Sequence, residues 1–454
     1  MNQPKRNERV EIGMRHRATV FGIVFLSLVL CFSSVCRAEG IETAPAYHLE
    51  QVVVLSRHGI RAPLSNSGSA VAEMTPHAWL EWTAPDSELT LKGGVAETLM
   101  GQYFRKWLES EGLLPENCIP AEGETRFYAN ARQRTIATAR YFSAGFLPVA
   151  NVTIEYKDEI GAFDPVFKPV YTFMSDAYRQ AVLEELAGQF GLWEDGTLRQ
   201  ALTEDYALLA DVIDYEESHG FQSGEYAPWT ADDIQVVLEE GKETAVKGSL
   251  KTAMAASDAL LLQYYEEDDA LRAAFGHEMS AEDWGRIADI NTTYQAIRYN
   301  SRLIGVNVAH PMLVELLNEM QNPERKFSFL CGHDSNVASV LGALGVTDYR
   351  LPETAEKKTP IGCKLVFEKW SSDTGEKFTR VRLVYQSTKQ LRQLQTLTLE
   401  NPPISFFIDL PGLEKNEVGF YRLDDMYECL QNAIDAYDAL IEAYGDSAAL
   451  DNAA

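Results

Sequence analysis

The stretch "VVVLSRHGIRAPLS", residues 52–65, decides the fold. Three valines and a leucine in a row leave no solvent-facing alternation. With the preceding "YHLEQ" they therefore read as a strand buried on both faces. A strand covered on both faces belongs to a layered α/β arrangement. The apolar run stops abruptly at Arg57, His58, Arg61 and Pro63. In open α/β sheets ligands bind outside the carboxyl ends of the strands. Gly59 permits a tight turn there, and Pro63 stiffens the exit. Two like charges about 4 Å apart cost on the order of 4 kcal/mol at an effective dielectric near 20. An oxyanion among them relieves that cost, and guanidinium forks match phosphate geometry. The competing reading is a solvated arginine-rich loop with an incidental histidine.

The same logic recurs twice. "LCGHDSN", residues 330–336, is a buried strand end, a glycine, then His333 and Asp334 at the start of a helix, where the macrodipole favours anions. Read alone, Asp334 could be a helix cap and His333 a structural histidine. "NARQRTIATAR", residues 130–140, puts Arg134 at a helix start after the expected strand "ETRFYANA", with Arg132 and Arg140 as competing candidates for a third guanidinium. Between these motifs, "LTLKGGVAETLMGQYFRKWLESEGLL" predicts a turn at Gly93-Gly94. A helix follows with Val95, Leu99, Tyr103 and Trp107 inward.

The chain has 454 residues and a formal charge of −27, enough for one large domain or two. Residues 1–38 carry Lys5, Arg6, Arg9, Arg15 and Arg17 ahead of the apolar "ATVFGIVFLSLVLCF". Small Cys36 and Ala38 then stand at the −3 and −1 positions of a cut after Ala38. That is the pattern of a cleaved signal peptide and predicts periplasmic export without a membrane anchor. Cleavage removes six Lys/Arg and two Glu, so the mature chain is more acidic still. Such a surface repels nucleic acid and anionic lipid. A phosphate site on it must be a local basic island. Cys118, Cys331, Cys363 and Cys429 remain, an even number that suggests disulfides of undetermined connectivity, with buried free thiols as the alternative.

Composition changes near residue 170. Residues 171–320 read as a mainly helical insertion, in which Ser175, "TADD" from Thr230 and "SAED" from Ser280 look like helix starts. Residues 39–170 and 321–454 read as an α/β domain. "KLVFEKW" and "FTRVRLVYQS" form a hairpin there, and "ISFFIDL" is a candidate edge strand.

"RHGIRAP" with a distant "HD" resembles the signature pair of the histidine acid phosphatases. The likeness continues through "TPHAWLEW", "FYANARQRTIATARYF", "HDSNVASVLGAL", "TPIGCKLVFEKW" and "VYQSTKQLRQ". Gly59 is the commoner family choice at its position. The resemblance implies a phosphoglycerate-mutase-like α/β sandwich: a central mixed sheet flanked by helices, plus the helical insertion as a cap. It implies hydrolysis of phosphate monoesters through a phosphohistidine, with glucose 1-phosphate as the expected substrate and inositol hexakisphosphate (phytate), or activity on both, as the alternative. His58 matches the nucleophile and Asp334 the proton donor. Arg57, Arg61, Arg134 and His333 match the phosphate-binding set. An acid optimum is expected, with no cofactor and no metal. The mutase branch of the same chemistry lacks the export signal, the HD pair and the long insertion. A binding protein without catalysis would have lost the nucleophile or the acid. Leu64, Trp82 and Lys92 are guesses for contacts to the alcohol portion.

Overall fold

A computed structural model describes residues 46–65, 69–191 and 196–445; the expected leader lies outside them. The strands are β1 (Tyr47–Arg57), β2 (Thr125–Ala129), β3 (Gln235–Val237), β4 (Ala245–Lys247), β5 (Phe327–Gly332), β6 (Lys364–Ser372), β7 (Lys377–Tyr385), β8 (Ile404–Phe407) and β9 (Tyr421–Arg422). The helices that matter below are α1 (Leu91–Ser110), α2 (Gln133–Phe146), α3 (Asp176–Phe190), α4 (Thr197–Val212), α5 (Ser249–Glu266), α6 (Ala281–Tyr299), α7 (Arg302–Gln321), α8 (Asp334–Ala343) and α9 (Leu423–Tyr444).

The central sheet runs β2-β5-β1-β6-β7-β8, with β9 beside β7. Its first three strands are parallel and the rest antiparallel, so it is the expected mixed sheet. The "VVVL" run of β1 explains its central place. Val52 and Val54 join the aromatic cluster of Phe104, Phe127, Phe142, Phe146, Phe327 and Phe329 under α1 and α2. Val53 and Leu55 point the other way, into a core shared with α7, α8 and α9. A strand burying alternate residues on opposite faces needs helices on both sides of the sheet, and it has them.

Most of the expected elements are present, including the β6–β7 hairpin, β8 at the sheet edge, and helices beginning after Ser175 and Ser280. Four readings need correction. Gly93 and Gly94 lie inside the first turn of α1 rather than in a turn before it: Thr90 caps the helix by accepting from Gly93 N. A glycine is required there because a Cβ on Gly93 would sit 2.4 Å from the Ile60 carbonyl oxygen. The inward stripe of α1 is Met100, Phe104 and Leu108 with Tyr103 and Trp107, whereas Val95 is exposed. Thr230 opens a turn, accepting from Asp232 N, and the chain continues into β3 rather than a helix; β-branched Val236 and Val237 favour the strand. The disulfide expectation also fails, since Cys118, Cys331, Cys363 and Cys429 are all free. Cys331 is the penultimate residue of β5, and Cys363 precedes β6 on the far side of β1. Two strand spacings, roughly 9–10 Å, exceed what a disulfide spans.

The two-sided burial makes the aromatic layer a stability determinant. Phe329 is fully buried and stacks on Phe142 with ring centroids 4.2 Å apart. Phe329→Ala is expected to lower unfolding free energy by about 3–5 kcal/mol. Denaturant titration checks this, and a loss below about 1 kcal/mol would mean the layer is not the packed core described.

Candidate active site

The parallel pairing of β1 with β5 sets the site. Arg57 and Gly332 are register partners at the carboxyl ends of the two strands. The next residues, His58 and His333, therefore emerge side by side, with ring centroids 5.5 Å apart at 75°. β2 pairs parallel with β5 on the other side, so its continuation through Asn130 into α2 delivers Arg134 to the same edge. Three strand ends thus bring together the groups that three separate motifs supply.

His58 is buried, its amide donating to Gly332 O at 3.1 Å. Its Nδ1 lies 2.9 Å from the carbonyl oxygen of Gly59. A carbonyl can only accept, so Nδ1 carries the proton and Nε2 keeps a free lone pair. Burial first, then the charges of Arg134 and its neighbours, hold the His58 imidazole well below the ordinary histidine pKa of 6.5. The ring is neutral, with one nitrogen aimed and unprotonated.

Arg57 is held between two carboxylates. Its Nη1 donates to Glu356 Oε1 and to the Thr359 carbonyl, each at 2.5 Å, and its Nη2 lies 3.6 Å from Asp334 Oδ2. Burial alone would depress this guanidinium, but Glu356 and Asp334 more than offset it and raise its pKa. Arg61 donates through Nη2 to Asp258 Oδ2 at 2.7 Å. Burial and the charge of Arg61 push Arg134 down to about 10, a sign of cations crowded without enough anions. The other candidates for that third cation resolve simply: Arg140 is exposed, and Arg132 sits at the N-cap position of α2 without a side-chain cap and adds its charge to the field at Arg134.

His333 Nε2 lies 2.9 Å from the side-chain amide nitrogen of Asn130. Arg134 Nη2, which can only donate, stands 3.5 Å from His333 Nδ1. Burial and Arg134 keep His333 neutral as well. Asp334 opens α8, with Oδ1 accepting from Ser335 N at 2.9 Å and Oδ2 from Gln295 at 3.1 Å.

All six residues singled out from the sequence meet here. Sequence reading missed Glu356, Asp258, Gln295 and Asn130. Only Asp258 left a signal, as a lone carboxylate in the apolar helical run "AMAASDALLLQ". Of the guesses for the alcohol portion, Leu64 is exposed and Lys92 is bound to Asp268 and the Glu266 carbonyl. Trp82 lines a cavity of about 510 Å³ with Ser65, Trp79 and Asp86. The next residue, Ser87, offers its carbonyl to Arg134 at 3.5 Å.

The comparisons with known proteins agree with this geometry. The model of the histidine phosphatase superfamily (branch 2) matches residues 48–386. The chain is 34% identical to glucose-1-phosphatase of Salmonella typhimurium, covering 92% of this chain and 99% of that protein. It is 35% identical to glucose-1-phosphatase of Providencia rettgeri, covering 85% and 92%. Among solved structures, apo phytase of Hafnia alvei superposes with a TM-score of 0.76 at 27% identity, over 86% of this chain and 98% of that one. A histidine with a free Nε2, ringed by guanidinium groups at the ends of parallel strands, is therefore no accident of packing: the chain belongs to branch 2 of the histidine phosphatase superfamily.

Proposed function

We propose that this enzyme hydrolyses glucose 1-phosphate and similar sugar phosphates through a phosphohistidine on His58. The observation that carries the reading is the neutral, Nδ1-protonated His58 whose Nε2 faces a cluster of cations. In the first step Nε2 attacks phosphorus and the bond to the leaving oxygen breaks. Arg57, Arg61, Arg134 and His333 hold the phosphoryl oxygens as charge spreads over them. Asp334 gives its proton to the departing alcohol. In the second step the Asp334 carboxylate takes a proton from water as it attacks, the P–N bond breaks, and phosphate leaves. Because His58 is depressed below 6.5, it remains a nucleophile at acid pH, where an ordinary imidazole would be protonated.

The sugar phosphate assignment draws on the two glucose-1-phosphatases at 34% and 35% identity. Asp258 adds a physical argument. This carboxylate, 2.7 Å from Arg61, would repel the further phosphates of a polyphosphorylated ligand. We propose that residues 171–320 act as a cap over the phosphate site, because Asp258 and Gln295 both reach it from that segment. The likeness to a phytase structure keeps phytate hydrolysis as the second reading. The apolar leader and its cleavage pattern support export to the periplasm. Among the described residues no helix is long and apolar enough to cross a membrane.

His58→Ala is expected to abolish phosphate release. Asp334→Asn should lower kcat on glucose 1-phosphate by roughly 10²–10⁴-fold. It should cost much less with p-nitrophenyl phosphate, whose leaving group needs little protonation. Equal losses on both substrates would remove Asp334 from the proton donor's role. In steady-state assays below pH 6.5, kcat/KM should be higher for glucose 1-phosphate than for phytate, and Asp258→Asn should narrow the ratio. A higher value for phytate in the unaltered enzyme would favour the second reading.

A further inference from the structure

Beneath the nucleophile lies an ion pair that the reaction does not use. Lys364, at the start of β6, is fully buried, and Glu97 of α1 is 4% exposed. Lys364 spends all three N–H donors inside the protein: on Glu97 Oε1 at 3.1 Å, on Glu97 Oε2 at 2.9 Å, and on the Gly362 carbonyl at 2.7 Å. Such a pair is hard to justify by stability alone. Desolvating both charges offsets much of their attraction, and an apolar pair of similar volume often serves as well or better. Burial raises the Glu97 carboxyl, against the opposing pull of Lys364, so the pair exists at some cost.

What the pair touches is the backbone that holds His58. A Cβ added to Gly59 would lie 3.1 Å from Glu97 Cγ and 3.2 Å from Oε1, so Glu97 packs directly against Gly59. On the other side Gly362, at φ +70°, would place a Cβ 3.0 Å from the same Oε1. Gly362 N donates to the His58 carbonyl at 3.0 Å. Gly59 N donates to Thr138 Oγ1 at 3.0 Å, and the Gly59 carbonyl accepts the Nδ1 proton of His58. The carboxylate is thus wedged between the two glycines that flank the nucleophile's hydrogen bonds. Lys364 clamps both the wedge and the Gly362 peptide.

The geometry points to Lys364 and Glu97 as a positioning pair that fixes the Gly59 carbonyl, and with it the tautomer and aim of His58. The inference rests on His58 being the nucleophile. Neither residue touches the substrate, so their loss acts on kcat and leaves phosphate affinity alone. A displaced Gly59 carbonyl frees Nδ1–H and lets the proton move to Nε2, which silences the nucleophile.

The test is the double variant Glu97→Leu/Lys364→Met, which keeps volume and removes both charges. It should fold with an unchanged or higher Tm. Its kcat should fall by about tenfold or more, as small misplacements of reacting groups commonly cost, and KM should stay within about twofold on the same grounds. Histidine 15N NMR should show His58 moving from one tautomer to a mixture. Unchanged kcat, or a loss carried by KM alone, would overturn the proposal. If the double variant does not fold, isosteric Glu97→Gln serves instead: lowered kcat at constant KM supports the pair, and unchanged kcat overturns it. Activity surviving in His58→Ala would be a failure of the underlying mechanism and is read separately from these outcomes.

Discussion

The site depends on one hydrogen-bonded ladder, the parallel pairing of β1 and β5 that sets Arg57 beside Gly332. Because successive side chains alternate faces, a slip of one residue would exchange the two faces of β1. It would carry Val53 and Leu55 out of the core that contains α7 and α8, and Val52 and Val54 out of the aromatic layer. Both faces are apolar and packed against different partners, so the register is held from two sides. That double constraint brings His58 within reach of His333 and Asp334, some 275 residues later in the chain. The fold's largest energetic term, apolar burial, thereby fixes the distance between these groups.

Electrostatics supply the second constraint. Arg57, Arg61 and Arg134 converge in a chain of strongly negative formal charge. Carboxylates satisfy two of them: Glu356 binds Arg57 and Asp258 binds Arg61. Among the described residues Arg134 has no carboxylate within ion-pair distance, and burial together with the charge of Arg61 lowers its pKa to about 10. The cluster is therefore stable without ligand yet still short of negative charge where an oxyanion would sit. Burial first, and then the same imbalance, keeps both histidines neutral. Repulsion among cations, costly anywhere else, here adds to burial in holding the His58 imidazole neutral.

Much of this was legible in the sequence because the informative residues are local and chemically extreme. "VVVL" announces a two-sided strand, and "RHGIRAP" and "GHD" put charges where apolar runs end. What the sequence hid are the partners chosen by tertiary packing. Glu356 stands in the polar "TAEKKTP" and reads as surface, yet it is buried against Arg57. Lys364 directly follows Cys363 in an apolar strand, and nothing local says that Glu97, on a helix 267 residues earlier, neutralises it. The inward face of α1 differs from the expected stripe because a four-residue spacing alone does not choose between adjacent stripes. The expected turn at Gly93 gives way to helix because those glycines answer to the close approach of Ile60, not to chain reversal. The paired cysteines were a reasonable inference from export, but β1 runs between Cys331 and Cys363 and keeps them apart.

The architecture thus has a layered logic: apolar burial fixes strand register, register converges the charges, and burial with those charges sets the state of one imidazole. The Nε2 atom of His58 is where all three meet. The most direct measurement is rapid acid-pH turnover of 32P-labelled glucose 1-phosphate, quenched into base and mapped by peptide. The account predicts transient label, stable in base and labile in acid, on the peptide that contains His58. Turnover without any covalent label, or label on another residue, would contradict it.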